Sequence, residues 1–203
     1  MCKRDSLYPG TADRPTARAR LGLDSDAFVT LALGNIAAYK GLERFAAVFQ
    51  GIAAPTDVAL IAGRDRDAGV VRRLRRAAAA DGRIRLHVGY VPDDEVQLYL
   101  AAADALVAPF ERILTSSSVM VALSYGLPVV APDLGCMPEL IGAAGLVYPS
   151  GDPDGLARAL AGIKRADRGQ MSAAALTIAD RLNWDDIGQQ TAEVYRAALG
   201  GAT

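Results

Sequence analysis

Residues 104–141, DALVAPFERILTSSSVMVALSYGLPVVAPDLGCMPELI, decide the fold class. Ala105 to Ala108 form a short apolar run between Asp104 and Pro109, the pattern of a strand buried on both faces. Four consecutive hydroxyls, Thr115, Ser116, Ser117 and Ser118, stand directly before the periodic apolar segment Val119 to Leu123. Ser and Thr belong at a helix N-cap, and the free N–H groups and positive dipole end of that helix attract an anion. Gly126-Leu127-Pro128 stops the helix, Val129 to Ala131 restarts an extended run, and a loop follows. Spacing alone fits two outcomes: a phosphate-facing turn or a capped core helix.

The rest of the chain alternates in the same way. Phe28 to Leu33 and Val58 to Ala62 are further largely apolar runs of strand length, and Ile84 to Val88 is a third strand. Between them, Leu42 to Ile52, Asp67 to Ala80 and Asp93 to Ala103 repeat apolar residues at helical spacing. Continuous rather than alternating apolar strands indicate a parallel sheet covered on both faces, and right-handed crossovers then give a doubly wound, Rossmann-like α/β fold of about six strands. After Val147 the pattern turns helical, with Pro153 to Lys164, Gln170 to Asn183 and Asp185 to Leu199 as extra C-terminal helices. Residues 1–23 lack strand periodicity and are expected to be a tether, with a short helix at Ala17 to Leu21; residues 24–203 form the domain.

Composition bounds the partners. With 203 residues and 51% of them apolar, the chain has material for about one core. Lys and Arg (22) nearly balance Asp and Glu (23), so there is no electrostatic case for nucleic acid or an anionic membrane. The one basic cluster, Arg72 to Arg76, lies opposite apolar helix positions and fits a solvated face. Cys2 and Cys136 make no disulfide framework, and no His/Cys/Asp cluster has metal-ligand spacing. The N-terminal MCKRDSLYPG lacks the apolar core of a signal peptide, and no window approaches a membrane span of roughly 18 apolar residues. A cytoplasmic protein with no bound cofactor and no transmembrane segment is expected.

In an open parallel sheet, ligands bind beyond the carboxyl ends of the strands. Three segments fall there. Gly34 to Gly41, GNIAAYKG, follows the first strand and opens a helix; Gly34 permits close backbone approach, Asn35 can donate a hydrogen bond, and Lys40 can place an ammonium on a phosphate. Gly89-Tyr90-Val91 can wall a flat heterocycle, and the hydroxyl turn Thr115 to Ser118 is the third segment. Arg64, after Gly63, can reach a phosphate or base, or pair with Asp65 or Asp67. His87, the only histidine, sits in an apolar strand and fits a structural role.

GNIAAYKG (34–41), LIAGR (60–64), HVGYVPDDEVQLYLAAADALVAPF (87–110), GLPVVAPDLGCMPELI (126–141) and GLVYPSGDPDGLARAL (145–160) together resemble the carboxyl-terminal domain of a GT-B glycosyltransferase of the family 4 type. The resemblance covers roughly residues 17 to 199. It implies a domain that binds a nucleoside diphosphate sugar for sugar transfer with retention and without a bound metal, opposite an amino-terminal acceptor domain. It also implies that the closing helix, Trp184 to Leu199, packs towards that partner. Lys40 matches the family's lysine on the donor diphosphate, whereas the family's arginine is Asn35 here, which cannot neutralise a phosphate. The family's two glutamates fall at Ile113 and Val121, so both carboxylates are absent. Ile113 to Ser118 resembles a subset whose Ser and Thr hydroxyls surround the diphosphate. Glu111, close to that turn, and Glu139, at the family's donor-side acidic position, are the candidate polar groups near the sugar. No catalytic residue is identified.

A GT-B enzyme reacts between two Rossmann-like domains, and this chain has material for one. The missing acceptor domain is expected as a partner domain or chain; exposed apolar surface at the cleft edge or on the last helix would mark its seat, or that of a homo-oligomer. The alternative is a non-catalytic nucleotide-binding or interaction module, which Asn35, Ile113 and Val121 favour.

Overall fold

The computed structural model describes residues 11–182 and 184–200. Six parallel strands form its centre: β1 (Val29–Leu33), β2 (Val58–Gly63), β3 (Ile84–Val88), β4 (Ala105–Val107), β5 (Val129–Pro132) and β6 (Gly145–Tyr148). Their order is β3-β2-β1-β4-β5-β6, all pairs parallel, as expected of a doubly wound sheet. Along each central strand, successive side chains enter opposite cores. Val29, Leu31, Leu60, Leu106 and Val129 face one apolar layer, while Ala32, Ile61, Val107 and Val130 face the other. A strand buried on both sides cannot alternate with polar residues, which is why these strands are continuous apolar runs.

The first layer is closed by α1 (Arg14–Arg20), α4 (Asp93–Ala102), α5 (Ser117–Ser124), the short α6 (Met137–Ile141) and α8 (Arg168–Arg181). The second is closed by α2 (Leu42–Ile52), α3 (Ala68–Ala80) and α7 (Gly155–Arg165). Asp67 lies just outside α3 as its N-cap, its carboxylate accepting the N–H groups of Gly69 and Val70. Arg72, Arg75 and Arg76 are exposed on α3, and Arg73 pairs with Glu43, so the basic cluster is a solvated face.

Three segments differ from expectation. The stretch expected as a tether is packed from Thr11 onward: α1 lies on α4, with Ala17 in the core and Arg18 only 3% exposed. Residues 1–10 lie outside the described residues, as do Asn183 and the Trp184 side chain. The loop after β5 contains α6, which a Pro in its first turn allows. Tyr148, just past the Val147 after which the pattern was expected to turn helical, ends edge strand β6 opposite Pro132.

Among the described residues, the Tyr148 hydroxyl is buried without a hydrogen-bond partner, and burial pushes its pKa up to about 12. An unpaired buried hydroxyl costs its desolvation and returns nothing. Tyr148→Phe is therefore expected to raise stability by about 1 kcal/mol, read as a higher urea midpoint. A lower midpoint would show that the hydroxyl has a partner.

The last helix, α9 (Trp184–Gly200), stands apart from both layers, with Val194, Tyr195 and Leu199 exposed. Among the described residues, no helix is long and apolar enough to cross a membrane.

Candidate functional site

The sheet order reverses between β1 and β4. The chain leaves β1 towards α2 on one face and leaves β4 towards α5 on the other, so a crevice opens beyond their carboxyl ends. The loop after β1 is pinned on both sides of it. Ile36 donates its N–H to the Arg64 carbonyl and Arg66 donates back to Ile36, tying the loop to the end of β2. Towards β4, Glu111 donates its backbone N–H to the Tyr39 carbonyl at 2.9 Å.

Two glycines make these approaches fit. A Cβ on Gly63 would sit 1.5 Å from the Gly34 carbonyl oxygen, and one on Gly41 would sit 2.0 Å from the Pro109 carbonyl oxygen. Gly41 is also left-handed, with φ of 65°. Gly41→Ala is expected to cost at least the roughly 1–2 kcal/mol of a left-handed L-residue, because the chain must also move Pro109. Urea denaturation measures it; a loss below 0.5 kcal/mol (about the size of a neutral surface change) would mean the two loops are not locked.

Lys40 projects into this crevice. Its Nζ lies 4.7 Å from the Phe110 ring centroid and 5.8 Å from that of Tyr39, two rings stacked 6.5 Å apart. It forms no ion pair among the described residues. Burial against these rings pushes its pKa below the usual lysine range. A partly buried, unpaired ammonium attracts an anion.

The opposite wall is the start of α5. Ser116, 5% exposed, is the N-cap: its hydroxyl accepts the Val119 N–H and lies 2.9 Å from the Ser118 hydroxyl. The first-turn amides of Ser117 and Ser118 have no intrahelical acceptor and carry the positive end of the helix dipole. A recess of about 10 Å³ lined by Lys40, Asn35 and Ser118 has about the volume of one water. It adjoins a cleft of about 380 Å³, within the range of small-ligand sites.

Gly34, Asn35, Lys40, Arg64, Tyr90, Val91, Ser117 and Ser118 line that cleft together. Tyr90 is 61% exposed, and the Arg64 guanidinium lies over its ring at 4.8 Å rather than pairing with Asp65 or Asp67. Gly89, Thr115, Ser116, Glu111 and Glu139 are not among the lining residues. Ser116 is used inside the helix cap, and Thr115, Glu111 and Glu139 are exposed beyond the cleft. His87 is half-buried on β3, its Nδ1 3.1 Å from the Tyr99 hydroxyl, and holds α4 to the sheet edge. The sequence reading passed over Gly63, Asp93 and Val96, which also line the cleft. Val121, at a family carboxylate position, presents an apolar group there.

Fold and site together define a Rossmann-like domain whose switch-point crevice offers a cation and helix amides to an anionic ligand. The chain belongs to the glycosyl transferases group 1 family, whose model matches residues 27–164. A D-inositol 3-phosphate glycosyltransferase from Streptomyces griseus is 32% identical over 96% of this chain and 45% of its own length. Solved structures share the fold. Sucrose-phosphate synthase from Thermosynechococcus elongatus superposes with a TM-score of 0.79 at 24% identity, over 97% of this chain and 51% of that one. The C-terminal domain of a glycosyl transferase group 1 protein from Francisella tularensis superposes with a TM-score of 0.68 at 17% identity, over 85% of this chain and 93% of that one. The chain is thus one Rossmann-like domain of GT-B type, spanning about half the length of the curated relatives it matches.

Proposed function

We propose that this chain is the donor-binding half of a glycosyltransferase that moves a sugar from a nucleoside diphosphate sugar to an acceptor. The unpaired Lys40 ammonium facing the first turn of α5 carries the proposal, because together they offer charge and N–H donors to a diphosphate. Asn35 adds a donor without charge. Tyr90 and Val91 wall the cleft where the base lies.

The proposal includes retention at the anomeric carbon and no metal ion, as the resemblance implies. Lys40 and the α5 amides then stabilise the charge that develops on the leaving diphosphate. The acceptor is held by a separate domain or chain, since transfer needs it positioned in a closed, water-poor site. Exposed apolar side chains at Leu114, Tyr90, Val194, Tyr195 and Leu199 support such a partner. The likeness to the glycosyltransferase from Streptomyces griseus supports sugar transfer as the reaction class.

Calorimetric titration with UDP, GDP and their sugar conjugates is the test. Binding in the micromolar to low-millimolar range by at least one of them is expected. No binding to any, from protein shown to be folded, overturns the proposal. Val121 on the cleft wall favours a second function, a nucleotide-binding module that has lost the sugar site. That module would bind a bare diphosphate and gain nothing from the attached sugar.

A further inference from the structure

We propose that Asp93 reads the base of the bound nucleotide, and that the cleft thereby selects guanine. The inference rests on the donor-nucleotide site above. That cleft is polar at two ends. At one stand Lys40, Ser117 and Ser118; at the other is Asp93, the only carboxylate among the lining residues. Asp93 opens α4, yet its neighbours in the same first turn, Asp94 and Glu95, do not reach the cleft.

One oxygen of the carboxylate has a protein partner. Tyr90 donates its hydroxyl to Asp93 Oδ1 at 3.3 Å, and the Tyr90 ring is itself covered by the Arg64 guanidinium. Oδ2 has no protein partner among the described residues, and Asp93 forms no ion pair there. An ionised carboxylate only accepts, so it needs donors from the ligand.

Position and chemistry select those donors. Asp93 follows β3, two strands from the β1 loop that carries Lys40, a separation of about 10 Å at ordinary strand spacing. With the diphosphate at Lys40, that distance passes the ribose and reaches the base. Val91, Val96 and Val121 make the adjoining walls apolar, suited to a flat ring. Guanine presents two adjacent donors on one edge, N1–H and the 2-amino group, which a carboxylate accepts as a pair. The single edge N–H of uracil lies between two carbonyl oxygens, which face a carboxylate unfavourably.

The test is titration of the whole chain and of Asp93→Asn with GDP, inosine diphosphate, xanthosine diphosphate and UDP. The unaltered chain is expected to bind GDP about tenfold or more tighter than inosine diphosphate, which lacks the 2-amino group, and than UDP. Asp93→Asn still accepts N1–H but now donates towards C2, where xanthine carries a carbonyl. The variant is therefore expected to lose GDP by about tenfold or more and to prefer xanthosine diphosphate, at an unchanged urea midpoint. A purely structural role for Asp93 could not reverse that order. Equal binding of GDP and inosine diphosphate, or an equal loss of every nucleotide in the variant, overturns guanine reading. Binding of any of these nucleotides to the unaltered chain in that same experiment would leave the donor site standing. Failure of every nucleotide to bind the unaltered chain would overturn both.

Discussion

Replacing Arg18 with Ala is expected to lower the stability of this chain by about 3–5 kcal/mol, the usual cost of breaking a buried ion pair from one side. Arg18 is buried with all of its fork engaged. Nε donates to the Ala102 carbonyl, Nη1 to those of Asp24 and Ser25, and Nη2 to the Ala27 carbonyl and to Asp104 Oδ2. Burial pulls its pKa down, and the Asp104 carboxylate opposes the shift. Asp104 also accepts the Val29 N–H at 2.8 Å, so the pair joins the start of β1 to the start of β4. Those two strands flank the switch point. Removing the side chain leaves Asp104 with the half-exposed Arg14 as its one ion-pair partner among the described residues, beside the Val29 N–H, and strips donors from four backbone carbonyls. Lysine cannot reproduce a planar five-donor fork, so Arg18→Lys is expected to recover only part of the loss. Urea denaturation followed by circular dichroism measures both; a loss under about 1 kcal/mol for Arg18→Ala would mean the network is no more than a surface pair. A chain trimmed at residue 24 is expected to lose the same contacts.

The parallel sheet was legible because its central strands are buried twice over and are apolar apart from Thr30. Val29 to Leu33 and Val58 to Gly63 advertise this directly. β6 did not, because an edge strand of four residues, with Leu146 and Val147 partly solvated, has no periodic signature against its Gly and Pro neighbours. α1 was hidden for a different reason. It docks through a charged side chain whose partner lies 86 positions away, and hydropathy counts that residue as surface. Within the site, Lys40 and Asn35 could be placed because a strand end followed by a helix start fixes which edge they occupy. Direction around a turn could not be read. Thr115 to Ser118 look equivalent in sequence, yet one becomes a buried cap, two face the cleft and one faces solvent. Asp93 was masked by its neighbours: three acids in a first helical turn fit dipole compensation, and only the turn's orientation singles one of them out.

Lys40→Ala is expected to weaken binding of a nucleoside diphosphate by about 10- to 100-fold, the equivalent of one or two charge-assisted hydrogen bonds, while making the empty chain no less stable. The two effects have one origin. A cation set against Tyr39 and Phe110 without a carboxylate pays for its desolvation until an anion arrives, and the lowered pKa is the signature of that cost. The sign of the pH dependence follows. With its pKa lowered in the folded chain, Lys40 holds fewer protons there than in the unfolded chain between the lowered value and the ordinary one near 10.4. Stability therefore rises with pH across that window. A bound diphosphate pulls the pKa back up, so affinity falls as pH rises through the same window. Lys40→Met keeps the apolar stem and removes the charge. It is expected to raise stability by about 1 kcal/mol, to flatten that alkaline rise, and to bind diphosphate as poorly as the alanine variant. Calorimetry and urea denaturation across the alkaline range test all three. If Lys40→Met were both less stable and unchanged in its affinity, the ammonium would be a structural group and the anion would be held by the α5 amides alone.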